Sequence, residues 1–548
     1  MEQRRVLLAI VISLAIVVLY QELIVRRLYP TPEQPAPESQ ASPAAAARPA
    51  DAPPSPDSPA APAAPAFPAA LAAEARDVVV DTDLFRATFT TLGARLKSLE
   101  LKRYRKTVAP DSPPLQLILF PAPDRLPLGV TLLGEGQTPV SDAAVLYSAD
   151  QTAVDIGADG STTLTFSGQL EGGATVRKRV TMHGHDYLWG LELEVDGVPA
   201  GFTQMSLGWD EGIDPAGANA AEVVYDHVLV LQQNKLQSHL FTDFDGVNPI
   251  ELKSDIDWMG FSGRYFLSAV VPEVEPTNDL RVWMRRVDSQ VQTVMIDPPS
   301  TFSTRFQIYA GPKDIDRLEA VGHGLRKAVD LGWFTFIALP MLQALRFLHG
   351  FTGNYGVAII ILTVVIKVLF YPLTKKSFES MKAMQKLQPE MQKLRERLKD
   401  KPEDMNREMM ELYRRHKVNP LGGCLPMLLQ IPVFVGLYNA LLNAVELRHA
   451  PFMGWITDLS APDRLGALQL PFVTHPGIPV LTLVMGASMI VQQWMTPSMG
   501  DPAQQRMMMI MPVVFTFMFI NFPAGLVLYW LVNNLLTIGQ QYYMTRDA

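Results

Sequence analysis

The chain has 548 residues and a formal net charge of −8, long enough for several domains. The charge is divided unevenly: residues 28–330 carry 24 basic and 40 acidic side chains, and the rest of the chain carries 23 and 15. That division excludes a single uniform body and points to an acidic soluble part joined to a membrane part with basic loops. The single cysteine, Cys424, excludes an intramolecular disulfide.

Arg4 and Arg5 precede an apolar run over residues 6–20, and Arg26 and Arg27 follow it. The run is long for the apolar part of a signal peptide, and no small-x-small cleavage site follows. It predicts an uncleaved transmembrane anchor over residues 1–27. Residues 28–76 are mostly Pro, Ala and Ser. Such a stretch buries too little apolar surface to fold and predicts a semi-extended tether.

Residues 77–320 read as one all-β domain. Alternation of apolar and polar residues runs from Val78 to Phe89 and recurs at 162–166, 175–180, 191–195 and 304–309. Gly- and Asp-rich turns separate these runs, as a sandwich or barrel requires. His183 and His185 raise the question of a metal pair, but no third ligand is near in sequence, and the segment reads as a turn between strands. Asp210, Glu211 and Asp214 are placed in a Gly-rich loop, without partners that would make them a catalytic pair.

Residues 333–350 are apolar yet contain Pro340, Arg346 and His349, and only four residues separate them from the next apolar stretch. Residues 321–354 are predicted as an interfacial amphipathic segment rather than a span. Residues 355–373 read as a membrane-spanning helix of about 20 residues. Lys367 interrupts it. A charge deep in a bilayer costs at least about 2.5–3.5 kcal/mol, so it ordinarily faces a wet cavity or a partner. The alternative is a snorkelling lysine whose stem reaches the interface. Thr363 lies one turn earlier on the same face.

Residues 374–419 carry 13 Lys/Arg against 8 Asp/Glu, which assigns them to the cytoplasm. Phe378, Met381, Met384, Leu387, Met391, Leu394 and Leu398 recur every three or four residues, and Met405, Met409, Leu412 and Tyr413 supply a facing stripe. Two antiparallel helices are predicted, joined near Pro402. The methionines either pack the hairpin or form an adaptable capture surface. Of 25 methionines, 18 lie from Met381 onward, a bias that adds weight to the second use without displacing the first.

Four further spans are predicted at 425–444, 478–495, 507–522 and 524–542, giving six in all with both termini cytoplasmic. Gln430, Gln493 and Asn533 are among the polar residues that recur within them. Such groups either pack helices or wet a cavity around Lys367.

Several blocks identify a family. Lys386, Pro389 and Glu390, then Arg395 and Arg397, then Lys417, Asn419, Pro420, Gly422, Gly423, Cys424 and Pro426 recur with Phe370 to Leu373 and Phe522 to Tyr529. In this order they resemble the YidC-type membrane protein insertases, in the long bacterial form with a large periplasmic domain. The resemblance runs almost end to end. It implies a polytopic α-helical membrane protein whose last five spans (within residues 355–548) enclose a hydrophilic groove. It also implies a β-supersandwich periplasmic domain and a cytoplasmic hairpin that receives clients. The implied partners are nascent membrane proteins, the Sec translocon with its accessory subunits, and the phospholipid bilayer. The family usually has arginine where this chain has Lys367, so positive charge is kept and bidentate carboxylate recognition is lost. Trp530 matches a position where relatives place an aromatic facing the groove. The residues after Tyr543 lack the basic tail that some members use for ribosome contact. No P-loop or other nucleotide motif occurs, so the energy is expected from apolar partitioning and the membrane potential, and the resemblance implies a physical mechanism with neither catalysis nor a cofactor. A transporter or a membrane-anchored carbohydrate enzyme are the rival readings, but no internal repeat supports the first.

Overall fold

The structure is a computed structural model. It describes residues 69–118, 125–212, 224–244, 248–273, 280–287, 291–297, 302–398, 401–416, 425–469, 476–495 and 502–546. The predicted anchor and nearly all of the predicted tether lie outside these residues.

Among the described residues twenty strands, β1 to β20 in chain order from Asp77–Thr82 to Ser303–Pro312, form three sheets. Their orders are β4-β3-β2-β1-β8, β14-β13-β16-β17-β20-β11-β10-β9-β7 and β15-β18-β19-β12-β5-β6. Pairing is antiparallel except between β1 and β8. Period-two alternation decides which face is buried. In β10 (Thr175–His183) Val176, Lys178, Val180 and Met182 point inward.

The inward lysine is part of the lock that joins the sheets. Asp142, fully buried, lies in a short turn after β6. Its carboxylate meets Lys178 Nζ of the nine-stranded sheet at 2.6 Å and Arg95 of the five-stranded sheet at 3.1 Å. It also accepts from Val130 N of the six-stranded sheet at 3.0 Å and from the Tyr147 hydroxyl at 3.1 Å. Buried charges persist only when paired and hydrogen-bonded in this way.

Two expectations for this domain need restating. Asp210 and Glu211 are on β12 (Gln204–Gly212), not in a loop. Glu211 is buried, with Trp209 Nε1 donating to its Oε1 at 3.2 Å. His183 ends β10 and His185 sits in the following turn, where its Nδ1 lies 3.0 Å from the Ala158 carbonyl oxygen. Among the described residues no cluster of His, Cys, Asp or Glu could hold a metal.

Ten helices are described. After α1 (Ala69–Glu74) and α2 (Ile315–Val321) come α3 (Thr335–Thr352), α4 (Tyr355–Leu369), α5 (Tyr371–Arg397) and α6 (Pro402–Arg415). Then follow α7 (Leu425–Asn443), α8 (Val480–Met495), α9 (Pro502–Phe519) and α10 (Ala524–Arg546). Helix α10 packs on α8 and α4, and α3 packs on α7 and α4. Small residues permit close approach: a Cβ on Gly486 of α8 would sit 2.2 Å from Thr516 Oγ1 of α9.

The predicted straight span over residues 355–373 does not form. Helix α4 ends at Leu369, Phe370 breaks the path, and α5 leaves at 61°. Pro372, within the first two positions of α5, explains the break, because it has no N–H to return to the preceding turn. By length and apolarity no single described helix suffices to cross a membrane, whereas the bent pair passes together. Of the last two predicted spans, the one expected at 507–522 begins and ends earlier, as Pro502–Phe519, and the one expected at 524–542 begins at Ala524 as expected and ends later, at Arg546.

The two bodies share contacts. Val445, after α7, joins the β-domain core, while Ile315 and Leu331 join the helical core. Arg346 of α3 donates to Asp316 at 2.6 Å and pairs with Glu446. Burial raises the Glu446 carboxyl above its ordinary range, and Arg346 opposes that rise.

Candidate functional site: a polar cavity at the bend of the membrane helices

The bend places Lys367, three residues before Phe370, close to the first turn of α5. Ile366 and Lys367 of α4, Phe370 at the break, Leu373 and Thr374 of α5, Gln430 of α7 and Asn533 of α10 line one cavity. Its volume is about 20 Å³, room for about one water molecule.

Lys367 is half-buried and its ammonium is held by α10. It donates to Asn533 Oδ1 at 3.1 Å and to Thr537 Oγ1 at 2.7 Å. The Thr537 hydroxyl donates in turn to the Asn533 backbone carbonyl at 2.6 Å. Gln430 Nε2 donates to the Tyr529 hydroxyl at 3.1 Å, joining α7 to α10. Tyr529, Asn533 and Thr537 are four residues apart, so α10 presents one polar face to the lysine.

The expected groove residues separate into two groups. Lys367, Gln430 and Asn533 come together. Thr363 does not line the cavity; it is buried, and its hydroxyl donates to the Ile359 carbonyl of its own helix at 2.7 Å. Gln493 of α8 is half-buried and not in the lining. Trp530 sits among Phe434, Phe515 and Phe519, with ring centroids 4.8, 6.2 and 5.1 Å away, packing α10 on α7 and α9. Asn534 donates to Ser488 Oγ at 3.1 Å and serves packing between α10 and α8.

The two helices expected of the hairpin correspond to α5 and α6. The Tyr413 hydroxyl reaches Met391 Sδ at 3.6 Å, and Arg397 pairs with Glu408. Met381, Met384, Met391, Met405 and Met409 are half-buried, and Met410 is exposed. Between the helices lies a cavity of about 560 Å³ lined chiefly by charged side chains such as Lys393, Arg397 and Glu411. Lys382 Nζ donates to the Met544 carbonyl at 2.5 Å, tying α5 to the end of α10. Carbonyls of a last helical turn lack intrahelical donors, and a cation there is favoured.

Residues 77–344 match the YidC periplasmic domain, and residues 347–548 match the family described as 60Kd inner membrane protein. The membrane protein insertase YidC of Pelobacter propionicus is 43% identical over 487 residues, 86% of this chain and 87% of the relative. That of Syntrophus aciditrophicus is 39% identical over 566 residues, covering both chains fully. The chain belongs to the YidC family of membrane protein insertases. A solved YidC insertase with its first transmembrane domain resolved covers 85% of this chain and 92% of its own, at 17% identity and a TM-score of 0.36.

As a YidC family member the chain is a bacterial inner membrane protein with a periplasmic domain, and the family's work is insertion rather than covalent catalysis. Reading the sequence did not single out Thr537, Tyr529 or Thr374. Their signal was available: Tyr529, Asn533 and Thr537 keep a four-residue spacing in an otherwise apolar helix.

Proposed function

We propose that the chain inserts integral membrane proteins into the bacterial inner membrane, with the Lys367 cavity receiving the polar tail of a client. The observation that carries this reading is a lysine ammonium within an apolar helix pair, held by Asn533 and Thr537 beside the base of the hairpin. A charge so placed attracts acidic client residues more strongly than in water, because the local dielectric is low. The cavity's volume of about 20 Å³ is too small for a peptide. Leu373 and Thr374 of α5 form part of its wall, so a client enters when α5 swings about Phe370.

In this reading the hairpin, with Met381, Met384, Met391, Met405 and Met409, offers soft apolar contacts to an arriving segment. Six spans with both termini cytoplasmic keep the basic residues 374–419 inside. The segment then partitions into lipid along the apolar faces of α7 and α9, and no nucleotide is required. The Sec translocon and its accessory subunits are proposed partners, and the ribosome is a further one through the cytoplasmic face. The test is a photo-crosslinking amino acid at Thr374 or Gln430 in membranes translating a short client. Adducts to the client tail are expected at both positions. Adducts to lipid alone at both would overturn the reading.

A further inference from the structure

A second cavity, of about 410 Å³, lies beyond the C-terminal end of α7. Its roof includes Val108 of the periplasmic domain, and its walls come from the connection between α7 and α8, chiefly Arg448, His449, Trp455, Asp458, Ser460 and Arg464. Because Val108 belongs to the periplasmic domain, the cavity lies at the outer surface of the membrane.

The site is built, not a chance gap. Arg448 is 9% exposed and donates to the backbone carbonyls of Arg105 at 2.8 Å and Lys106 at 3.2 Å, holding the roof. Arg464 donates to the Ile520 carbonyl and to Asn521 Oδ1, both at 3.0 Å, holding the α9–α10 turn. The two carboxylates have different duties. Asp463 is consumed by α8, accepting from Leu481 N at 2.7 Å and Thr482 Oγ1 at 3.0 Å. Asp458 uses only Oδ1, which accepts from His449 N at 3.2 Å and from Ser460 N and Oγ at 2.8 and 2.7 Å. Among the described residues its Oδ2 has no hydrogen bond.

Two guanidinium groups and one carboxylate oxygen therefore share a single cavity with an indole and a hydroxyl. That set suits a compact zwitterion, with an anion on the arginines and an ammonium on Asp458. A phosphate monoanion alone leaves Asp458 unmatched, and a quaternary ammonium has no N–H to give it. Leu483 and Val484 of α8, 50% and 49% exposed, continue from the turn that Asp463 caps and give apolar chains a path. We propose that this cavity binds the phosphoethanolamine headgroup of a phospholipid of the outer leaflet, bridging the periplasmic domain and the helical core.

The test uses the full chain in detergent micelles titrated with phosphatidylethanolamine, phosphatidylcholine or phosphatidylglycerol. Lipid retention is read by native mass spectrometry and stability by thermal unfolding. Phosphatidylethanolamine should be retained about tenfold better than the other two, the worth of one charge-assisted hydrogen bond. Asp458→Asn, which preserves the Oδ1 acceptor, should remove that preference. Thr457→Glu, at an exposed lining position, should lower retention of phosphatidylethanolamine and phosphatidylglycerol alike, and it serves if the first variant does not fold. Unchanged phosphatidylethanolamine preference in Asp458→Asn, or unchanged retention of both lipids in Thr457→Glu, would overturn the site. Equal stabilisation by free phosphoethanolamine at the same concentration would overturn its assignment to a lipid.

Discussion

Changing Lys367 separates a client-attracting cation from a lysine that only packs. Its ammonium makes two hydrogen bonds to α10, at 3.1 and 2.7 Å, which leaves one N–H for a client carboxylate. A charge-assisted hydrogen bond contributes about 1.5–3 kcal/mol, or roughly 10- to 150-fold in partitioning. Lys367→Ala should therefore lower insertion of a client with an acidic translocated tail by about that factor. Lys367→Glu should be worse, since like charges about 4 Å apart repel by about 4 kcal/mol at an effective dielectric of 20. Lys367→Arg should work, because guanidinium keeps the charge and can reach the same two acceptors. A matched client with neutral tail residues should respond less to all three changes. The assay is protease protection of both clients in proteoliposomes of equal protein content. Equal insertion of the acidic client by Lys367→Glu and the parent would refute the attraction and leave Lys367 as a clamp between α4 and α10.

The periplasmic domain should be largely dispensable, provided the cut respects the shared contacts. A variant keeping the first 27 residues and 313–548 should complement depletion. One that resumes at 321 loses Ile315 from the helical core and Asp316 from Arg346, and should be less stable by about 1–3 kcal/mol; equal membrane levels and melting of the two would count against those contacts. Replacing residues 382–417 by a short Gly/Ser linker should impair insertion with the spans assembled, and unchanged insertion would show the hairpin to be unnecessary. Burial lowers Lys313 from 10.5 to about 8. Between those values the unfolded chain binds more protons, so stability should rise with pH above about 8 until tyrosines titrate near 10. Lys178 shifts the same way, so Lys313→Met should roughly halve the slope seen by chemical denaturation. An unchanged slope would remove Lys313 from that account.

Much of the fold was legible because two periodicities are strong. Alternation marked β1, β2, β9, β10, β11 and β20, and the three-four spacing marked α5 and α6. Within the cavity Lys367 was legible as a charge in an apolar run, and Gln430 and Asn533 as polar groups nearby. What the sequence hid depends on direction. Thr363 shares a helix face with Lys367, yet its hydroxyl satisfies a backbone carbonyl at 2.7 Å, the ordinary use of a threonine in an apolar helix. Trp530 was expected to face the groove, but one step around α10 from Tyr529 turns it into the aromatic cluster with Phe434 and Phe519. Lys178 was overlooked in β10, although a lysine in phase with Val176 and Val180 is the signal of a buried ion pair.

The break at Phe370 gives the lysine its place. In an unbroken helix, Lys367 and Lys375 would be about 12 Å apart along one axis, and Lys367 would face lipid or a neighbour with no cytoplasmic cover. With the 61° bend, Leu373 and Thr374 fold back beside it and become a wall. Two anchors then hold the bend from both sides, Lys367 on Asn533 and Thr537, and Lys382 on the Met544 carbonyl. All three acceptors belong to α10, so that helix sets the angle between the membrane segment α4 and the hairpin arm α5. Opening the cavity without unfolding α4 would release the second anchor and turn α5 about Phe370, whose N–H reaches the Ile366 and Val368 carbonyls and whose own carbonyl accepts from Thr374 N at 3.0 Å and Thr374 Oγ1 at 2.8 Å. Pro372 thus links the sequence to the function: the missing N–H that stops α4 also creates the joint through which a client would enter.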